Sequence, residues 1–336
     1  MAGIIFSEGS NVANSIYGRS QEPIKMLLEK RAESFEQKSV LKKLFSIEKS
    51  NKWAEKLTSM NAMDGFQPVG ENGAYPLVEW SEGPSKVIIH ETWKNSFMLS
   101  KELIDDAQNL DLRKRPAAFM TAFERTKELF GAQLYGAILT SATSIKVGAK
   151  TFDATGADGK AILATNHQAA RRGANQSNMF TDAFSADALA AVETEMQNFK
   201  GDSGEILDVA PDTIVIPNIY PLKKAVFSAI GADHDPATAN NGFNYQFGRW
   251  NVIVWSYLNQ YMGSTNTAPW LLIDSRYNDT YKGAVIFERE PLTIRSTIDE
   301  NTDANVWRGR TRFGGGFNDW RFVAGGGLTG GTTLIS

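Results

Sequence analysis

The sequence predicts an α+β fold on three observations: one long Phe-rich stretch of helical period, several short apolar runs bounded by Gly, Pro and Asn, and a polar N-terminal arm with neither period. The helix is the clearest element. From Pro116 to Thr140, the residues Phe119, Phe123, Thr126, Phe130, Leu134 and Ala137 fall at offsets 0, 4, 7, 11, 15 and 18, a stripe about 80° wide at 100° per residue. Pro116 suits the first turn, where an amide donor has no partner, and these 25 residues at ~1.5 Å each make a rod of roughly 37 Å. The rod is expected to be the spine of a flat molecule, with Phe119, Phe123, Phe130 and Leu134 facing its core. Gly131 and Gly136 interrupt it at ~1 kcal/mol each relative to Ala, which makes sense if another backbone packs closely there.

A chain of 336 residues, 42% hydrophobic and 22% charged, can form two modest domains or one elaborated domain. A net charge of −3 argues against a dedicated nucleic-acid binder but not against a protein that encloses nucleic acid. The absence of cysteine excludes disulfides, thiolate zinc sites and cysteine nucleophiles, and fits a reducing compartment. Met-Ala-Gly-Ile-Ile-Phe-Ser at the start has no basic region leading into a long apolar one, and no window reaches 18 apolar residues. The chain therefore reads as unprocessed, soluble and intracellular, without a membrane partner, and the sequons at Asn175 and Asn278 are chance matches.

Residues 1–20 read as an arm that only a partner would order. From Pro23 to Leu57, Ile24, Leu27, Leu28, Phe35, Leu41, Leu44, Phe45, Trp53 and Leu57 are interleaved with Lys and Glu, predicting one or two amphipathic helices broken near Ser46 to Ser50. Ala74–Trp80 and Lys86–Leu99 then read as a long hairpin turning at Gly83-Pro84, with Val87, Ile89, Trp93, Phe97 and Leu99 on one face. Such a hairpin is marginal alone and must lie on a sheet or on another molecule. Beyond the spine, Ser185 is placed as the cap of a second helix through Phe199, and Tyr220–Ile230 forms a third. Strands are expected at Thr213–Pro217, Asn251–Trp255, Trp270–Asp274, Ala284–Phe287, Leu292–Ile298, Val306–Phe313 and Asp319–Val323, followed by a flexible Gly-rich tail.

Motifs for chemistry fail on inspection. Ala154-Thr155-Gly156-Ala157-Asp158-Gly159-Lys160-Ala161 imitates a phosphate loop, but Ala154 replaces its first Gly and Ala161 the hydroxyl that meets the metal. Gly325, Gly327 and Gly330 match a dinucleotide fingerprint with no helix after them. His90, His167 and His234 lie far apart; Asp233 and Asp235 flank His234 as an exposed loop, and His167 is the one candidate for a triad assembled in space. No catalytic, cofactor-binding or metal-ligating residue is assigned. Arg308, Arg310 and Arg312 alternate with Trp307, Gly309 and Thr311, so a strand presents three guanidiniums on one face, suited to carboxylates at a subunit junction.

The order of arm, long hairpin, spine helix, helix-and-strand block and returning strands resembles the major capsid proteins of tailed phages. Asp158–His167, Ala210–Pro217, and the run from Arg289-Glu290-Pro291-Leu292 through Trp307-Arg308-Gly309-Arg310 to Asp319-Trp320-Arg321 look most like the Mu-type major head subunit branch, over about residues 20–325. Ile162-Leu163-Ala164 departs from it where an aromatic is more usual. The resemblance implies a Hong Kong 97-type capsid fold: an N-terminal arm over 1–65, an extended β-hairpin loop over 66–103, a peripheral domain with the spine helix over 104–184 and 284–336, and an axial domain over 185–283. It implies a non-catalytic head protein in the virion, assembled in the host cytoplasm from hexamers and pentamers into an icosahedral-type shell around double-stranded DNA, with scaffold, portal and decoration proteins as partners. Glu82, Lys86, Trp93, Arg308, Arg310 and Arg312 become the expected subunit-interface residues, and no cofactor is implied. An encapsulin-like compartment is the alternative shell, and a soluble metal- or nucleotide-dependent enzyme the alternative outside the fold.

Overall fold

The computed structural model describes residues 5–7, 35, 39–60, 68–71, 73–75, 77, 82–100, 102, 109–168, 174–201, 204–231, 244–262 and 268–335. In chain order its elements are β1 (Ile5–Ser7), α1 (Leu41–Leu44), β2 (Ser46–Lys49), β3 (Ala54–Met60), β4 (Glu82–Ile89), β5 (Glu91–Leu99), α2 (Asn109–Leu139), β6 (Ser144–Val147) and β7 (Lys150–Asp153). They continue with α3 (Ala186–Gln197), β8 (Thr213–Pro217), α4 (Tyr220–Ile230), β9 (Asn251–Trp255), a 3₁₀ turn (Ser256–Tyr261), β10 (Trp270–Ile273), α5 (Ser275–Tyr281), β11 (Ala284–Ile298), β12 (Asn305–Phe317) and β13 (Val323–Gly326). One sheet runs β1-β11-β12-β5, with β2 also on β11; a second runs β13-β10-β8-β9; β3-β4 and β6-β7 are two-stranded ribbons.

The spine α2 is 31 residues long and begins at Asn109, so Pro116 lies inside it and not in its first turn. Leu110 to Arg115 supply good helix formers that extend the helix by two turns and outweigh the one backbone donor that proline lacks. Phe119, Phe130, Leu134 and Ala137 are buried as the stripe requires, but Phe123 is only half-buried. From Phe130 onward the helix is enclosed on nearly every side, since Gly131, Ala132, Tyr135, Gly136, Ile138 and Leu139 are buried as well. Side chains, not another backbone, explain the glycines: a Cβ on Gly131 would meet Leu41 Cδ2 at 2.2 Å, and one on Gly136 would meet Tyr261 Cγ at 2.4 Å.

The hairpin differs from the expected one. β4 pairs antiparallel with β3, from Ala54↔Ile89 to Met60↔Glu82, whereas Ala74, Tyr75 and Leu77 lie in no strand. Gly83-Pro84 sits inside β4, where proline is tolerated because that strand pairs along one edge only. β5 leaves this ribbon and joins β12 instead. The switch at His90 shifts the burial phase: Lys86, Ile88 and His90 are buried before it and Leu99 after it, so Val87 and Ile89 point outward and do not share a face with Trp93. Within 23–57 the described residues include a helical Phe35 and the short helix α1, followed by β2 and β3; β2 lies parallel on β11, from Val285↔Ser46 to Glu288↔Lys49. Ile24, Leu27 and Leu28 lie outside the described residues. Of the arm, Ile5–Ser7 pairs in parallel with Thr293–Arg295.

Ser185 caps α3 by accepting from Ala188 N–H at 3.0 Å, and all five residues of β8 are buried. The expected strands 284–287 and 292–298 are one 15-residue strand, irregular between Glu288 and Thr293. Asp319 to Phe322 form a turn, and the strand follows it as β13. The Gly-rich end is therefore no tail: Gly325 and Gly326 pair with Leu271 and Trp270, and a Cβ on Gly326 would lie 2.3 Å from Trp270 Cε2.

The arm is fastened to the spine by a buried carboxylate. Glu128 is 7% exposed; its Oε1 accepts from Ser39 Oγ and, at 3.1 Å, from Val40 N–H, while Oε2 has no partner. Burial raises its pKa above the ordinary carboxylate range, and the hydrogen bonds from Ser39 and Val40 only partly oppose this. The folded state thus holds this proton to higher pH than the unfolded state. Stability from this group is full below the unfolded pKa and falls as pH rises through the folded one. Glu128→Gln keeps an acceptor for Ser39 and removes the charge, so thermal unfolding should show a raised Tm at pH 8 and little change at pH 4.

Candidate subunit interface

β11, β12 and β5 form a layer with two unlike faces. Trp307, Gly309, Thr311 and Phe313 turn inward from β12 and are buried. Trp93 stacks on Phe313 with centroids 4.7 Å apart, and its Nε1–H donates to the Phe313 carbonyl at 3.3 Å. Gly309 lets the spine approach closely, since a Cβ there would meet Phe119 Cζ at 2.4 Å. The alternate residues of β12 turn outward as expected: Arg308 and Arg310 are exposed and Arg312 is half-buried.

Neighbouring strands extend this outer face into three rows. Ser96, Arg308 and Arg295 stand side by side, then Lys94, Arg310 and Thr293, then Thr92, Arg312 and Glu290. Five cations and one carboxylate thus share the face. Glu290 meets Arg310 at 3.4 Å and Arg312 at 3.5 Å, and such exposed pairs are worth only ~0–1 kcal/mol. Arg295 lies directly opposite Arg308, an arrangement of like charges that is unfavourable unless an anion lies between them. Lys94, Asn95, Ser96, Glu290, Arg295 and Arg308 line a cleft of about 560 Å³ here.

The other expected interface residues lie elsewhere. Lys86 is 6% exposed and is engaged inside the subunit, with Nζ 2.6 Å from both Asp153 Oδ2 and Thr155 Oγ1. Burial alone would raise the Asp153 pKa, but Lys86 and Thr155 outweigh it and hold it below the usual range. Trp93 packs in the core among Phe130, Phe152 and Phe313. The side chain of Glu82 lies outside the described residues. Lys94, Arg295 and Glu290 were not expected on this face. Alternation of Thr293, Arg295 and Thr297 was a signal for one of them, but only the ladder register brings Arg295 to Arg308.

The triad option for His167 closes: its ring is fully buried, Nδ1 lies 2.7 Å from Asp158 Oδ2, Nε2 lies 3.2 Å from the Ile162 carbonyl, and Trp320 stacks on it at 4.2 Å. Both nitrogens serve structure. His90 is buried against Phe287 without a hydrogen-bond partner for either nitrogen, and burial depresses its pKa. His234 lies outside the described residues. Among the described residues no group of three metal-ligating side chains occurs, and no helix is long and apolar enough to cross a membrane.

A long spine packed on a sheet with one buried face, a separate two-stranded ribbon and a second sheet with its own helices make up the Hong Kong 97-type fold. Two solved structures share this architecture. One, from Microbacterium phage Oxtober96, has 12% identity and a TM-score of 0.50, and the match covers 88% of this chain and 91% of that one. The capsid structure of the Cyanophage P-SCSP1u has 10% identity and a TM-score of 0.52, covering 89% of each chain. No curated protein matches the chain. Residues 85–325 match the phage capsid protein family, and the chain belongs to that family. It is a structural protein of the virion, a bacteriophage capsid subunit that assembles with itself into a shell and performs no catalysis. The encapsulin and enzyme alternatives are not favoured.

Proposed function

We propose that the chain is a major head subunit of the Mu-type branch, forming hexamers and pentamers of an icosahedral-type shell that is built in the host cytoplasm and encloses double-stranded DNA. Scaffold, portal and decoration proteins are its further partners. The extended loop comprises the β3–β4 ribbon, the spine and the β11–β12–β5 layer make the peripheral domain, and α3 to α5 with β8 to β10 make the axial domain. The observation that carries this reading is the ribbon. It exposes Val87 and Ile89 at 52% and 45%, and the chain between its strands exposes Tyr75 and Leu77 at 96% and 100%. Two strands with bare apolar side chains are marginal in water, so a neighbouring subunit is their cover.

Electron micrographs of the purified protein are expected to show closed particles. The double substitution Tyr75→Glu, Leu77→Glu should leave the melting temperature of the subunit unchanged while particle yield falls. A wild-type protein that stays monomeric at every concentration and salt overturns the shell reading. A variant that loses stability together with assembly assigns the loop to the subunit's own core.

A further inference from the structure

We infer that the turn between β11 and β12 of one subunit docks on the basic face of a second copy, an inference that rests on the shell reading above and deepens it. The turn, Asp299-Glu300-Asn301-Thr302-Asp303-Ala304, carries three carboxylates and no cation. Glu300 and Asp303 are exposed, and Asp299 folds the turn by accepting from Asn301 N–H at 3.1 Å. The hairpin is therefore a rod with an acidic tip and a basic body, the body being Arg295, Arg308 and Arg310 with Lys94 beside them.

Opposite charges on one rod do not by themselves satisfy each other. Continuous pairing through Ile298↔Asn305 holds the tip beyond the Arg295–Arg308 row by four residues, about 13 Å along the strand, so a chain cannot lay its own tip on its own body. Another copy can. Among the described residues neither Arg295, Arg308 nor Lys94 has a carboxylate within ion-pair distance, and an incoming tip supplies the anion that the Arg295–Arg308 pair lacks. Tip on body is a heterologous contact, which closes into a ring when repeated by rotation.

The chain has no cysteine, so cross-linking reads the contact without background. Ser96 lies in the cleft beside Arg308, and Asn301 lies in the tip, so cysteines at both places leave every charge intact. Within one chain these positions are at least ~10 Å apart along the ladder, beyond the ~7 Å reach of a disulfide. Under mild oxidation, Ser96→Cys, Asn301→Cys should give a ladder of covalent oligomers. A mixture of the two single variants should give only mixed dimers. Adding Arg295→Glu and Arg308→Glu should reduce the link about tenfold, which corresponds to ~1.4 kcal/mol, and adding Glu300→Lys and Asp303→Lys to that chain, which leaves Asp299 to fold the turn, should restore it.

Particles that form normally without a 96–301 link overturn this contact and leave the shell reading standing. Dimers of the Asn301→Cys variant alone show tip meeting tip and overturn it too, as does a link indifferent to charge reversal. Reversed chains that build intact particles lacking nucleic acid show that the face binds phosphate instead. If no particles form, the shell reading fails, and the contact stands or falls on the link itself.

Discussion

Phe130→Asp should give no soluble, folded subunit. The ring is 1% exposed at the point where the spine meets the sheet, with edge contacts to Trp93 at 5.7 Å, Phe152 at 5.1 Å and Phe313 at 5.6 Å. Removing a buried Phe costs about 3–5 kcal/mol through lost transfer and the cavity left behind. A carboxylate in the same place must be desolvated or protonated as well. Against a total stability of roughly 5–15 kcal/mol, that is enough to unfold the chain. Phe123→Asp is the internal comparison, because the half-buried Phe123 side chain leaves its replacement access to water. Expression yield and circular dichroism of the two variants should separate them clearly, and a folded Phe130→Asp protein of normal Tm would contradict the packing described.

Removal of residues 323–336 should be equally damaging. Those residues include Val323, Ala324 and Leu328, each at most 1% exposed, and they supply the strand on one edge of β10. Asn178 also loses two of its hydrogen bonds, since its side chain donates to the Val323 carbonyl at 3.0 Å and its main-chain carbonyl accepts from Gly325 N–H at 2.9 Å. Val323 and Leu328 each contribute about 1.5–3 kcal/mol, and Trp270 to Ile273 would be uncovered in addition. Gly326→Val tests the same packing at one position by driving a side chain into the Trp270 ring. Unchanged melting of either variant would mean that the C-terminal end is a free tail after all.

Much of this fold was legible where a single local rule decides. The Phe and Leu spacing of the spine, the apolar Ile214-Val215-Ile216 run of β8, the Ser185 cap and the alternation of Arg308, Arg310 and Arg312 each follow from one local pattern or one hydrogen bond. Failures occurred where two elements compete for a segment. Ala54–Met60 has the Lys and Glu content of a surface helix, yet pairing with β4 makes it a strand. Lys86–Leu99 reads as one alternating strand, but its change of sheet at His90 inverts the pattern, which no window on one strand can report. The terminal glycines looked like a flexible end because their function lies in what they lack: only a bare backbone fits against Trp270. In the interface, β12 showed its charges openly, while Lys94, Arg295 and Glu290 became part of the same face only through register. Lys86 and Trp93 were assigned outward when their partners, Asp153 and Phe313, lie far off in sequence.

A reconstruction of the assembled particle at side-chain detail tests the account most directly. It should show Lys86 and Trp93 inside their own subunit, the chain near Tyr75 and Leu77 covered by a neighbour, and the Asp299–Asp303 turn of one copy seated between Arg295, Arg308 and Lys94 of the next. A basic face turned to the lumen and lying against nucleic acid, with acidic turns in solvent, would contradict it.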